Sequence, residues 1–148
     1  MRAAGVATCH CGAIRIRVRR LPRSLTSCNC SICRRYGALW AYYTAPSVTI
    51  EAPARGLAAY AWNRRTRLYH RCIVCGVVTH YTYRRKRSRA VVAVNASNFD
   101  LAVIAAARVR LFDGAGTGRY VGQSAAGIQK SRGKTRRKTI DLSTRARR

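Results

Sequence analysis

Acidic residues are scarce in this 148-residue chain, where only four face 30 lysines and arginines. They are Glu51, Asp100, Asp113 and Asp141. The resulting formal charge of +26 attracts nucleic acid and other polyanions. The arginines run from Arg2 to Arg148 without a helix-turn-helix, RNP or finger-type motif, so a compositional bias at solvent-facing positions is the simpler interpretation. The alternative function is that of a zinc-stabilised module that binds nucleic acid or other polyanions without catalysis, through its basic surface and tail.

Long apolar runs are also missing. No segment reaches the ~18 apolar residues of a membrane-spanning helix, and residues 1–8 lack the apolar region of a secretory signal. These two absences predict a cytoplasmic protein without a membrane partner. In that compartment thiols stay reduced, and closely spaced cysteines bind metal more often than they form disulfides.

The seven cysteines fall into three short groups. Cys9 and Cys11 form the first pair, and Cys72 and Cys75 form the second. Between them lies the triplet Cys28, Cys30 and Cys33, three thiols within six residues. Such spacing is typical of metal sites, and zinc is favoured over an iron–sulfur cluster because the triplet has no fourth cysteine.

The two outer pairs together complete a tetrahedral Cys₄ site. In Cys9-x-Cys11 both side chains can face the same way, and Cys72-x-x-Cys75-Gly has the spacing of a zinc knuckle. Glycines beside both pairs tolerate the positive φ that a tight knuckle requires. A zinc ion bound here would link distant parts of the chain, so we expect a structural site whose loss unfolds the protein.

The triplet then supplies three thiolates and leaves a fourth position for water, substrate or a side chain. An open position is typical of a catalytic zinc. One alternative is a closed site completed by His10, His70 or His80. A disulfide arrangement or an exchange of ligands between the groups leaves thiols without a partner. Three thiolates on Zn²⁺ leave one net negative charge, which favours activation of an incoming thiol over hydrolysis.

The hydrophobic pattern predicts a mostly β domain with a hydrophobic core. Ile14, Ile16 and Val18 alternate with arginines and should face inward. Further strands are predicted at 39–44, 48–50, 57–62, 67–69, 77–83, 90–94 and, as the last strand, 109–112, with a short helix or turn at 101–107. Residues 63–65 and 84–89 are predicted turns. We assign residues 1–118 to the zinc-binding domain and 119–148, with ten basic residues and one acid, to a disordered tail.

The order Cys-His-Cys-Gly, Cys-Asn-Cys-Ser-Ile-Cys-Arg-Arg and Cys-x-x-Cys-Gly resembles the glutathione-dependent formaldehyde-activating enzyme family, which includes centromere protein V. The resemblance covers about residues 5–113. It implies an Mss4-like fold of short antiparallel strands built around two zinc sites. It also implies a carbon–sulfur lyase that adds glutathione to formaldehyde, giving S-hydroxymethylglutathione.

The resemblance assigns roles by position. Cys9, Cys11, Cys72 and Cys75 match the structural-zinc ligands of the family, whereas Cys28, Cys30 and Cys33 match the catalytic-zinc ligands. Arg34 and Arg35 follow the triplet and could pair with glutathione carboxylates, or could be solvated surface charges. The chain departs from the family in Arg71, in its shortage of acids and in its basic tail.

Overall fold

The computed structural model describes residues 4–84 and 90–124, and short strands dominate these two ranges. The strands are β1 (Gly5–Thr8), β2 (Arg15–Val18), β3 (Ser24–Cys28), β4 (Leu39–Thr44), β5 (Val48–Glu51), β6 (Leu57–Trp62), β7 (Arg67–Cys72), β8 (Val78–Tyr83), β9 (Val91–Asn95), β10 (Arg108–Phe112) and β11 (Tyr120–Ser124). Two six-residue helices are α1 (Ser31–Tyr36) and α2 (Leu101–Ala106), and 3₁₀ turns cover Ala45–Ser47 and Ala96–Asn98. Within these ranges no helix has the length or apolar character needed to cross a membrane.

The strands form two sheets. A three-stranded sheet has the order β1-β2-β5, and an eight-stranded sheet has the order β11-β10-β3-β4-β9-β8-β7-β6. The mostly β prediction is confirmed. One strand pair departs from the predicted antiparallel arrangement, since β10 runs parallel to β3 with Phe112 opposite Cys28. These two strands are far apart in sequence, so no tight hairpin fixes their relative direction.

The main core lies between the two sheets. Ile14, Ile16 and Val18 are at most 1% exposed, as their alternation predicts, and they share one cluster with Val92 and Val94 of β9. Fully burying one such aliphatic side chain contributes roughly 1.5–3 kcal/mol. This layer fixes the small sheet against the large one, and it is this junction that brings the first cysteine pair toward the second.

The opposite face of the large sheet carries a second, aromatic cluster. Trp40, Tyr69 and Tyr81 are nearly fully buried there, and Cys33 of α1 belongs to the same cluster. Trp40 and Tyr81 meet edge to face with ring centroids 4.8 Å apart. The triplet therefore packs against the rings of Trp40, Tyr69 and Tyr81, which we call the aromatic floor.

The predicted hairpin of 57–62 and 67–69 is confirmed. Leu57 pairs with Cys72 and Trp62 pairs with Arg67, so β7 runs three residues further than predicted. The turn between the strands holds Asn63, Arg64 and Arg65 at positive φ. The other predicted basic turn falls mostly on residues 85–89, which lie outside the described residues.

The structure differs from the sequence-based expectation in four places, namely β1, the cysteine triplet, the last strand and the start of the tail. β1 was not predicted, and the triplet, expected in a loop, spans the end of β3 and the start of α1. β10 is not the last strand, because Tyr120–Ser124 pairs with it as β11. The boundary of the tail at residue 119 was therefore placed too early. The remainder of the predicted tail, residues 125–148, lies outside the described residues.

Candidate metal centres

The four outer cysteines come together although Cys11 and Cys72 are 61 positions apart in the sequence. Their four Sγ atoms lie within 4.8 Å of one another. The Sγ–Sγ distances are 3.6 Å for Cys9–Cys11 and 3.6 Å for Cys11–Cys72. A tetrahedron with Zn–S bonds of about 2.3 Å has edges of roughly 3.8 Å, so these sulfurs fit a tetrahedral ion.

The backbone of both outer pairs turns in the way a metal knuckle requires. Gly12 and Gly76 adopt φ of 80° and 74°, a region that favours glycine. The Gly12 N–H donates to the carbonyl of Cys9, and the Gly76 N–H donates to that of Cys72. The Ile14 N–H also donates to Cys9 Sγ at 3.2 Å, which stabilises a thiolate there. Since Cys9 lies beside β1 and Cys72 ends β7, this group connects the two sheets.

The triplet forms a second group whose three Sγ atoms also lie within 4.8 Å of one another. Cys28 ends β3, Cys30 is the residue before α1, and Cys33 lies in the second half of the first turn of α1. The short helix folds the chain back so that Cys33 returns to Cys28. Among the described residues, no histidine, aspartate, glutamate or further cysteine completes this group.

The histidine alternative for the fourth ligand is wrong. His70 and His80 stack with ring centroids 4.3 Å apart, on the face of the large sheet opposite the aromatic floor. Their ring nitrogens bond Thr82 at 3.0 Å and Thr79 at 2.9 Å. His10 is exposed beside Cys9, in the other metal group. The alternation of side chains along β7 and β8 directs both strand histidines away from the triplet.

Cys33 is the cysteine of the triplet whose sulfur contacts polar groups of the aromatic floor. Trp40 Nε1 donates to Cys33 Sγ at 3.3 Å, and the Tyr69 hydroxyl lies 3.9 Å from the same sulfur. Burial, reinforced by the Cys30 thiol, raises the pKa of Cys33 to about 12, and the Trp40 hydrogen bond opposes this rise. Without a cation Cys33 would stay protonated at neutral pH, so metal binding here releases a proton.

A glycine-rich loop, residues 113–118, lies against the triplet. Asn29, between two cysteines of the triplet, donates to Asp113 Oδ1 at 2.8 Å and accepts from the Ala115 N–H at 2.8 Å. The Asp113 carboxylate also accepts from the N–H groups of Gly116 and Thr117. The Thr117 N–H and then the Asn29 amide lower the pKa of Asp113 to about 2. This network, which we call the clasp, fixes the loop to the cysteine segment.

Gly114 of the clasp is required for space. A Cβ at this position would lie 2.6 Å from Cys28 Sγ and 3.2 Å from Cys30 Cβ. The φ of Gly114 is not in the positive range, so its backbone conformation is open to any residue. The loop backbone therefore forms one wall of the triplet, and a side chain there would displace a sulfur.

The structure separates the two arginines that follow the triplet. Arg34 lines a pocket of ≈ 490 Å³ together with Cys28 and Cys33, and this size is within the ~300–1,000 Å³ of small-molecule sites. Arg35 lines a different groove, beside Cys9 and His10, and its Nη1 donates to the Ser31 carbonyl at 2.7 Å. Only Arg34 of this pair reaches the pocket beside the triplet.

Comparison with known proteins agrees with the cysteine pattern. A family model described as glutathione-dependent formaldehyde-activating enzyme matches residues 5–114, and the chain belongs to this family. A crystal structure of a Rhodobacter sphaeroides protein is similar, with 33% sequence identity, a TM-score of 0.53, and coverage of 63% of this chain and 85% of that one. No curated protein matches. The mostly β architecture with two cysteine groups is consistent with the predicted Mss4-like fold.

Several site residues escaped the sequence analysis. Asn29 lies inside the triplet motif, and Asp113 and Gly114 are the last residues that the family model matches, so position alone could have drawn attention to them. Trp40 and Tyr69 look like ordinary residues of aromatic strands. Their contact with Cys33 depends on how α1 packs on the large sheet, and no local pattern in the sequence indicates it.

Proposed function

We propose that this protein is a zinc-dependent carbon–sulfur lyase-type enzyme that acts on glutathione, or another thiol, and formaldehyde or a related small aldehyde. The carrying observation is the three-sulfur group without a fourth ligand among the described residues, beside a pocket that Arg34 lines. In the addition direction, the thiol sulfur bonds to the carbonyl carbon and the thiol proton ends on the aldehyde oxygen.

The proposal includes two zinc ions per chain. Cys9, Cys11, Cys72 and Cys75 would hold a structural ion, and Cys28, Cys30 and Cys33 would hold the second ion at the reaction site. Sulfur ligands at tetrahedral spacing favour zinc over magnesium or calcium, which prefer oxygen. When bound at the triplet, zinc supplies a cation that stabilises an incoming thiolate and keeps it near the aldehyde.

Side chains around the triplet would orient its thiolates and bind the thiol substrate. Trp40 donates a hydrogen bond to Cys33 Sγ, which draws electron density from that thiolate and orients it. Arg34 can pair with a carboxylate of the thiol substrate from its position on the pocket. The pocket wall also includes the apolar side chains of Ala38 and Leu111. Arg35 would be a solvated surface charge that does not contact the substrate.

Calorimetric titration with glutathione tests the proposal. Zinc-loaded protein should bind glutathione, and ¹³C NMR with labelled formaldehyde should show faster exchange with S-hydroxymethylglutathione. Cys30→Ser removes one sulfur of the triplet and should abolish both effects while the four-cysteine group stays metal-bound. Glutathione binding that is the same in the Cys30→Ser variant would refute the proposal.

Two broader predictions stay open beside this one. The cytoplasmic location and the binding of polyanions without catalysis rest on composition alone. The remaining alternative, a purely structural two-zinc domain closed by a histidine, loses its basis because His70 and His80 face away from the triplet.

A further inference from the structure

One face of the eight-stranded sheet carries a row of four tyrosines that is interrupted once, by Ala93. The row crosses five strands, because Tyr42 pairs with Ala93, Ala93 with Tyr81, Tyr81 with Tyr69, and Tyr69 with Tyr60. Directly paired residues project from the same face of a sheet. With strands about 4.8 Å apart, the row from Tyr42 to Tyr60 is roughly 19 Å long. This is the face opposite the main core.

The two middle tyrosines are buried, but the ends of the row are open. Tyr42 and Tyr60 are 46% and 45% exposed, whereas Tyr69 and Tyr81 are 3% and 4% exposed. Tyr83, two residues after Tyr81 and therefore on the same face, is 41% exposed. The inner rings pack beneath α1, whose Tyr36 ring lies 5.7 Å from that of Tyr69, whereas the outer rings are partly exposed to solvent.

The same face extends toward the other edge of the sheet. Tyr120 of β11 is 42% exposed and its hydroxyl lies 3.0 Å from Thr26 Oγ1, and Thr26 pairs with Trp40 of the aromatic floor. All exposed tyrosines among the described residues therefore lie on one face, here called the tyrosine face.

Arginines stand among these rings. Arg67 Cζ lies 5.5 Å from the centre of the Tyr83 ring, and Arg110 Cζ lies 3.6 Å from that of Tyr120. Arg108 lies two residues before Arg110 in β10, on the same face. The eight strands of this sheet contain no aspartate or glutamate. The tyrosine face therefore combines flat rings with positive charge that no acid of these strands neutralises.

We propose that the tyrosine face binds single-stranded nucleic acid. Exposed bases stack on aromatic rings, and the backbone phosphates pair with arginines nearby, which matches the composition of this face. A duplex hides the faces of its bases, so it could use only the arginines. The charge of +26 would increase the rate of encounter with any nucleic acid. This inference does not rest on the proposed lyase activity, although the triplet packs against the buried rings of the same face.

Fluorescence anisotropy with the zinc-loaded full chain tests this inference. The probes are labelled oligo(dT) and oligo(U) of about 20 nucleotides and a mixed-sequence duplex of equal length. Both single strands should bind more tightly than the duplex. The ratio of the Kd values for oligo(dT) and oligo(U) shows whether DNA or RNA is preferred. Tyr83→Leu and Tyr60→Leu should each weaken single-strand binding by about tenfold, whereas phenylalanine at either position should keep it within about twofold.

A salt series separates stacking from charge. Arg67→Gln should reduce the slope of log affinity against log salt by about one, whereas Arg20→Gln, an exposed arginine after β2 in the other sheet, should leave it unchanged. Equal binding of single strand and duplex, with no effect of the leucine variants, would refute the inference and assign binding to charge alone. A dimer in sedimentation that Tyr83→Leu dissociates would refute it as well, since a second copy would then cover the face.

Discussion

Replacing Gly114 by alanine tests whether the clasp shapes the triplet. The new Cβ would lie 2.6 Å from Cys28 Sγ and 3.4 Å from the Phe112 ring. Non-bonded heavy atoms prefer separations of about 3.5–4.0 Å, so either the loop or the sulfur must move by roughly 1 Å. Overpacking of this kind costs about 1–3 kcal/mol.

Most of that cost should fall on metal binding by the triplet. A loss of 1.4 kcal/mol is about a tenfold change in affinity, so zinc affinity at the triplet should fall by roughly 5- to 150-fold. The four-cysteine group lies elsewhere and should be unaffected. Competition with a chromophoric chelator measures both sites, because the two zinc ions should then be released at well-separated chelator concentrations.

Gly122→Ala in β11 is a matched control. Its Cβ would lie 3.7 Å from Leu111 Cδ1, an ordinary contact, so the variant should release zinc as the unmodified protein does. If Gly114→Ala also behaves like the unmodified protein, the loop does not constrain Cys28. If it weakens both sites equally, the effect is a general loss of folding. Either result would refute the reasoning.

Three further predictions follow from the site. Trp40→Phe removes the hydrogen bond to Cys33 Sγ, so the thiolate-to-metal absorption bands of the cobalt-substituted protein should shift to lower energy, and unchanged spectra would contradict the contact. Arg34→Gln should raise the Kd for glutathione by about tenfold and Arg35→Gln should leave it unchanged, since only Arg34 lines the pocket; equal effects in calorimetry would contradict this separation. Cys9→Ser should lower the free energy of unfolding, measured with urea, by several kcal/mol, because the four-cysteine group connects the two sheets; an unchanged urea midpoint would show that this group is not structural.

Local patterns predicted most strands of the fold. The alternation around Ile16 became a strand because it has one buried face. The aromatic, β-prone run from Leu39 to Thr44 became a strand that is buried on both faces, at Trp40 and at Ala41. The short β1 has four residues and a burial pattern without strict alternation, so its sequence carries little signal. β11 lies in a segment rich in glycine and poor in large apolar residues. It forms because it pairs with the free edge of β10, and this pairing is a tertiary interaction rather than a local preference.

The metal groups were more predictable than their surroundings. Spacing alone divided the cysteines into four and three, and the sulfur positions agree with that division. The choice between an open triplet and one closed by His70 or His80 required the strand register, since a shift of one residue would have turned both histidines to the other face. The clasp between Asn29 and Asp113 joins residues 84 positions apart, a distance at which single-sequence patterns carry no information.

Zinc-edge X-ray absorption on the fully loaded protein tests the central claim most directly. With four sulfurs in one group and three in the other, the account predicts an average of about 3.5 sulfur ligands per zinc, completed by a lighter atom. Saturating glutathione should raise this average to about 4, as the thiol takes the open position of the triplet. A sulfur count that glutathione leaves unchanged would contradict an open, thiol-binding metal site.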